Sequence, residues 1–215
     1  MDLPAPMLPI PGPPPSRGGW SYEREQDGLR VVCGAADGCW RMLTRYGTDL
    51  ADRFPELARI TDFHGTVLDG ELVLSPAGMR RRYTSPEDAA RLADDFPATV
   101  VVFDVLALNA VDVRHEPYIY RRIALDGLGL TAGAWRTRPW TTDPPADPRG
   151  SIAKRLASPY TSGRSPDWIR LRKPSPDRAE MPHLAQPHHG TAPVEVVLDE
   201  RRNTPRARLE HRVSQ

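Results

Sequence analysis

Several short stretches of this sequence hold side chains whose types and spacing could do chemistry. A charged run, YEREQDGLRVV, ends in Asp27-Gly28 and feeds directly into β-branched residues. Asp69-Gly70-Glu71 interrupts the strand-like GTVLDGELVL, and Phe103-Asp104 lies within the apolar ATVVVFDVLAL. An acid on a buried strand costs free energy unless it is paired or coordinates something, although an exposed strand face would carry it equally well. In DWIRLRK, Arg170, Arg172 and Lys173 would present a row of cations along a strand, as a solvated edge or as a phosphate contact. The only lysines are Lys154 and Lys173. Arginine stays protonated, so any reaction needing a lysine nucleophile has just these two candidates.

The elements that must position these groups follow from patterning. Leu29–Cys33 and Cys39–Thr44 flank Ala-Asp-Gly, a hairpin signal. TDLADRFPELARI reads as helical, with Thr48 or Asp49 as its cap. Residues 65–74 read as a strand whose Asp69-Gly70 is a turn or a bulge. Ser85-Pro86-Glu87-Asp88 is a helix start, with a cap, a proline and first-turn acids. Ala98–Leu108 should be a buried strand, and YIYRRIALDGLGL a short helix ended by glycine. SIAKRL and DWIRLRK read as two short basic strands, and Val194–Glu200 as one more.

Across 215 residues, 29 basic and 28 acidic side chains nearly cancel, so charge alone points to neither nucleic acid nor membrane. The 24 prolines crowd both ends. Residues 1–19 therefore read as an extended arm and 175–215 as a disordered tail, with the folded domain between them over 20–174. His183, His188 and His189 form a chance cluster within that tail, and the arginines of DERRNTPRARLEHR are largely offset by its acids. Cys33 and Cys39 are too few for a disulfide framework or a zinc site. No apolar run reaches the ~18 residues of a membrane span and no signal peptide is visible, so a cytoplasmic protein with reduced thiols is expected.

Taken in order, the motifs resemble the adenylation (nucleotidyltransferase) domain of ATP-dependent DNA ligases, in particular the bacterial end-joining type, from about Pro6 to Pro174. EQDGLR is similar to the nucleophile loop K-x-D-G-x-R at Asp27, Gly28 and Arg30. LTRYG resembles S-R-x-G, VLDGELVL the acidic strand, and VVFDVLAL the strand carrying an adenine-stacking aromatic. YRRIAL resembles R-R-x-x-L. RGSIAKRLASPYTSGRSPDWIRLRKP resembles E-G-x-x-A-K followed by Y-x-x-G-x-x-x-x-W-x-K-x-K. The resemblance implies an α+β, ATP-grasp-like fold of antiparallel sheets with flanking helices. It implies ATP and Mg²⁺ as cofactors, and nicked or broken DNA as partner. By the same resemblance Glu23 would touch the adenine edge, Arg30 the ribose or the nick, and Arg45 a DNA phosphate. Glu71 would meet the ribose or a metal, Phe103 would stack on adenine, and Lys154, Arg170 and Arg172 would meet phosphate.

Three departures bear on activity. The nucleophile lysine is replaced by Glu25, whose carboxylate cannot form a phosphoramidate. Arg149 stands where the resembled motif has its metal-binding glutamate. No OB-fold is expected after residue 174. The sequence therefore suggests a catalytically inactive ligase-like domain that keeps weak nucleotide or DNA binding beside an active ligase or repair partner. Its alternatives are a working ligase that uses another lysine or a partner subunit, and a decayed gene product.

Overall fold

The computed structural model describes residues 2–36, 38–131 and 133–171. Val194–Glu200, the three tail histidines, Arg172 and Lys173 lie outside the described residues. The chain forms a compact unit over Met1–Pro174.

Two sheets carry the fold. The strands are β1 (Met7–Gly12), β2 (Trp20–Arg24), β3 (Leu29–Ala36), β4 (Cys39–Thr44), β5 (Thr66–Val73) and β6 (Thr99–Leu108), then β7 (Val111–Asp112), β8 (Trp135–Thr137), β9 (Trp140–Thr141), β10 (Ser151–Arg155) and β11 (Gly163–Leu171). One sheet has the order β1-β11-β10-β2-β9; the other has β4-β3-β5-β6-β7, with β8 also beside β6. Pairing is antiparallel except for β1 with β11 and β8 with β6. Helices α1 (Pro76–Thr84), α2 (Ala89–Asp95) and α3 (Tyr118–Gly127) complete the unit. The α+β class expected from the sequence is the one observed.

Three local expectations are revised. Met7–Gly12, read as part of an extended arm, is an edge strand; Pro9 and Pro11 are tolerated there because an edge leaves one side of the ladder unpaired. The stretch 48–60, read as helical, is resolved into two 3₁₀ segments, Ala51–Arg53 and Pro55–Asp62. Pro55 cannot donate to the preceding turn and so divides them. The first of them is capped by Leu50 and not by Thr48 or Asp49, although Asp49 accepts from the backbone N–H of Ala51 at 3.1 Å. Helix α1 was not anticipated, although Ser75-Pro76 carries the same start signal as Ser85-Pro86, and the Ser75 hydroxyl accepts from Gly78 N–H.

Strand β6 is where patterning becomes function. Its pairing with β5 shifts register between Asp69 and Gly70 and again between Val67 and Leu68, leaving Phe103 and Leu106 unmatched. These bulges break the two-residue alternation. Val100, Val102 and Val105 pack into the core beneath the helices, while Phe103 and Leu106 join the cluster of Met7, Val32, Tyr160 and Trp168. Gly70 is required at the first bulge: a Cβ there would lie 2.9 Å from the Val101 carbonyl oxygen. Asp69-Gly70 is thus a bulge and not a turn.

Candidate active site

The residues singled out in the sequence converge on the apolar cluster around Phe103 and Trp168, and each of the cleft's cations meets a carboxylate. On β3, Arg30 donates to both oxygens of the buried Asp69 at 2.7 and 2.6 Å, and to the Met7 carbonyl at 2.9 Å. Asp69 also accepts from the Tyr160 hydroxyl at 2.6 Å. The Arg30 guanidinium lies 4.3 Å from the centre of the Phe103 ring, where a stacked base was expected.

Lys154 on β10 was expected at phosphate but is turned inward. Its ammonium is within 3.0 Å of Glu23 and 3.2 Å of the Phe103 carbonyl, and 4.4 Å from the Trp168 ring centre. Burial lowers its pKa, against the opposing pull of Glu23 and Asp104. Tyr118 donates its hydroxyl to the same Glu23. The adenine-edge acid and a phosphate cation of the resembled pattern are therefore engaged with each other.

Glu25 follows β2 and reaches Arg170 Nε on β11 at 2.7 Å. Asp27 is exposed in the turn before β3. Gly28 allows that turn to approach β5, since a Cβ there would sit 2.5 Å from the Leu72 carbonyl oxygen. Arg45 is exposed after β4, stacked on Tyr46 with its centre 4.5 Å from the ring. Arg149 faces Asp147 at 2.7 Å on the surface.

Sequence reasoning undervalued the groups that hold this arrangement. Asp104 and Arg121 form a two-pronged ion pair at 2.9 Å on each prong, with both side chains at zero exposure. Arg121 also donates to the Ser158 carbonyl at 3.1 Å, tying β6, α3 and the β10–β11 connection together. The R-R pattern of α3 was the available signal for Arg121, whereas nothing in the sequence pointed to Tyr118 as the partner of Glu23.

Glu71 on β5 has its pKa raised to about 7, chiefly by burial, with Arg30 opposing and the carboxylates of Asp69 and Glu25 adding to the rise. Between its ordinary 4.5 and about 7, the folded chain keeps a proton that the unfolded chain releases. Stability therefore falls as pH rises through that window, by up to about 1.4 kcal/mol per unit. Glu71→Gln should flatten this fall in urea-unfolding midpoints followed from about pH 5 to 8. Parallel curves for the two chains would rule the assignment out.

No group of three or more His, Cys, Asp or Glu able to hold a metal ion occurs among the described residues. Asp69 is neutralised by Arg30, Glu25 by Arg170, and Arg149 is a cation where an acid was expected. Glu71, the acid expected at a metal, has its carboxyl pKa pushed up to about 7 by burial, so these residues do not fit Mg²⁺. Two surface depressions, one against Pro11, Pro148 and Arg149 and one against Pro4, Gly65 and Arg114, include neither Phe103 nor Lys154.

A family model described as "ATP dependent DNA ligase domain" matches residues 16–131, more than half the chain. The chain belongs to the ATP-dependent DNA ligase family. It is 33% identical over 172 residues to the multifunctional non-homologous end joining protein LigD of Pseudomonas aeruginosa, covering 74% of this chain and 20% of that protein. To DNA ligase C2 of Mycolicibacterium smegmatis it is 32% identical over 188 residues, covering 74% of this chain and 52% of that one. Among solved structures it resembles a mycobacterial DNA ligase D complexed with ATP and MES, with a TM-score of 0.61 and 26% identity over 79% of this chain and 60% of that one. The chain thus spans between a fifth and about half the length of these curated relatives. No helix among the described residues is long and apolar enough to cross a membrane.

Proposed function

We propose that this ligase-family domain does not form a covalent AMP adduct and therefore does not seal nicks by itself. One observation carries the reading: the nucleophile position of the loop holds Glu25, a carboxylate in 2.7 Å contact with Arg170. A carboxylate has no lone-pair amine to attack the α-phosphorus, and its charge repels the triphosphate. Lys154 does not substitute. It is 2% exposed and bound to Glu23, whereas attack requires near-attack placement at about 3–3.5 Å.

Phe103, Glu23, Arg30, Glu71, Lys154 and Arg170 are the remains of a nucleotide cleft whose charges are now paired with one another, Glu23 with Lys154, Asp69 with Arg30 and Glu25 with Arg170. Arg45, outside the cleft, is the contact for a DNA phosphate. This fits a role in repair of DNA ends, through weak binding of ATP, AMP or nicked DNA beside an active ligase.

The test is incubation with labelled ATP and Mg²⁺ followed by a denaturing gel. No labelled band is expected from this chain or from Glu25→Ala. A band that survives Glu25→Ala would overturn the reading and move attention to Lys154 or Lys173.

A further inference from the structure

We propose that Glu25 is an autoinhibitory anion: its carboxylate occupies Arg170 and keeps shut a site for a phosphate monoester at the mouth of the cleft. The inference rests on reading this cleft as a nucleotide cleft without its nucleophile.

Geometry ties the acid to its cation. Glu25 N–H donates to the Gly150 carbonyl at 2.9 Å, and Gly150 N–H donates to the Leu171 carbonyl at 3.1 Å. The loop after β2 is thereby stitched to the turn before β10 and to the end of β11, next to Arg170. Gly150 holds this turn with φ of +69°, a conformation side chains other than glycine rarely adopt.

The contact is Coulombic and imperfect. Arg170 Nε is shielded from solvent and lacks an aligned hydrogen bond, although Glu25 lies 2.7 Å away. A buried donor left without its hydrogen bond is costly, so a better aligned anion gains by replacing the carboxylate. The Arg170 side chain as a whole is 42% exposed, against 18% for Glu25, so solvent reaches the cation side of the pair.

Local charge explains why only this pair can open. Arg30 is matched by Asp69, whose side chain is fully buried, and Lys154 by the buried Glu23. Arg170 and Glu25 are the most exposed of the three pairs. Glu71 beside them retains its proton up to about pH 7, so the guanidiniums of Arg30 and Arg170 are cancelled by Asp69 and Glu25. Neutralising Glu25 leaves one guanidinium uncancelled, and a planar N–H fork suits a phosphate.

Calorimetric titration of the full chain with AMP, at low salt and about pH 6.5, tests this. Glu25→Gln and Glu25→Ala should each bind AMP at least about tenfold more tightly than the unaltered chain, the worth of one charge-assisted hydrogen bond. Adding Arg170→Gln to either Glu25 variant should abolish the gain. Equal affinities for the unaltered chain and Glu25→Gln, or a gain that survives loss of Arg170, would overturn the proposal. So would unfolding of both Glu25 variants, which would make the pair a structural clamp. A nicked duplex with and without a 5′-phosphate distinguishes the source of the monoester. A gain for AMP, or only for the phosphorylated duplex, upholds the site; an equal gain for the unphosphorylated duplex overturns it as general surface charge. A labelled adduct on the unaltered chain would instead overturn the inactive reading, whatever the titration gives.

Discussion

Glu25→Lys combined with Arg149→Glu is expected to give a chain that carries covalent AMP after incubation with ATP and Mg²⁺, where the unaltered chain carries none. Lysine at position 25 would stand beside Arg170, which is 2.7 Å from the present carboxylate. A neighbouring cation disfavours the ammonium form and raises the fraction of free amine, the species that attacks phosphorus. The second substitution supplies an acid at a position now occupied by a cation facing Asp147. Loss of a nucleophile in another covalent enzyme costs on the order of a millionfold in rate. That corresponds to about 8 kcal/mol of barrier, so even partial recovery is visible on a labelled gel. Glu25→Lys alone should give a weaker band. If the folded double variant stays unlabelled, the cleft does not hold ATP in a reactive pose, and the nucleotide-binding half of the proposed function falls with it.

The largest stability effect is expected at Asp104. Asp104→Ala leaves the fully buried Arg121 guanidinium without its carboxylate, while its remaining acceptors are backbone carbonyls of Glu116 and Ser158. Breaking a buried pair from one side costs about 3–5 kcal/mol, because an uncompensated charge stays in the interior. The same substitution frees the Val105 N–H, which now donates to Asp104 at 2.9 Å. Urea unfolding should show that loss as a lower midpoint with an unchanged slope. Replacing both partners, Asp104→Ala with Arg121→Met, should recover part of it, because no isolated charge remains. A loss under about 1 kcal/mol for the single variant would mean that Arg121 finds water, and that the pair does not clamp α3 to β6.

How much of this was legible in the residues varies from place to place. The β3–β4 hairpin, the β5 and β6 strands and helix α3 followed from local patterning, because alternation, turn chemistry and a terminal glycine act over a few residues. The stretch 48–60, read as helical, takes 3₁₀ form in two pieces, because Pro55 divides it and the packing of Leu57 and Ile60 accepts that geometry. Edge strand β1 was invisible because its partner, β11, begins at Gly163, far along the chain. For the site, the order of motifs singled out the Asp27-Gly28 loop, Glu25 within it and the aromatic at Phe103 as candidates. It did not reveal that Lys154 would turn to Glu23 or that Arg30 would lie over Phe103.

By itself the sequence determined membership of the ligase family, the α+β class and the chemical identity of position 25, since each depends on residue type and order along the chain. Only the tertiary structure decided how the cleft's charges are spent. Asp69 meets Arg30 because β5 pairs with β3, and Glu23 meets Lys154 and Glu25 meets Arg170 because β2, β10 and β11, far apart along the chain, lie side by side in one sheet. Ion pairing falls off over a few ångströms, and distance along the chain says nothing about which carboxylate will reach a given cation first.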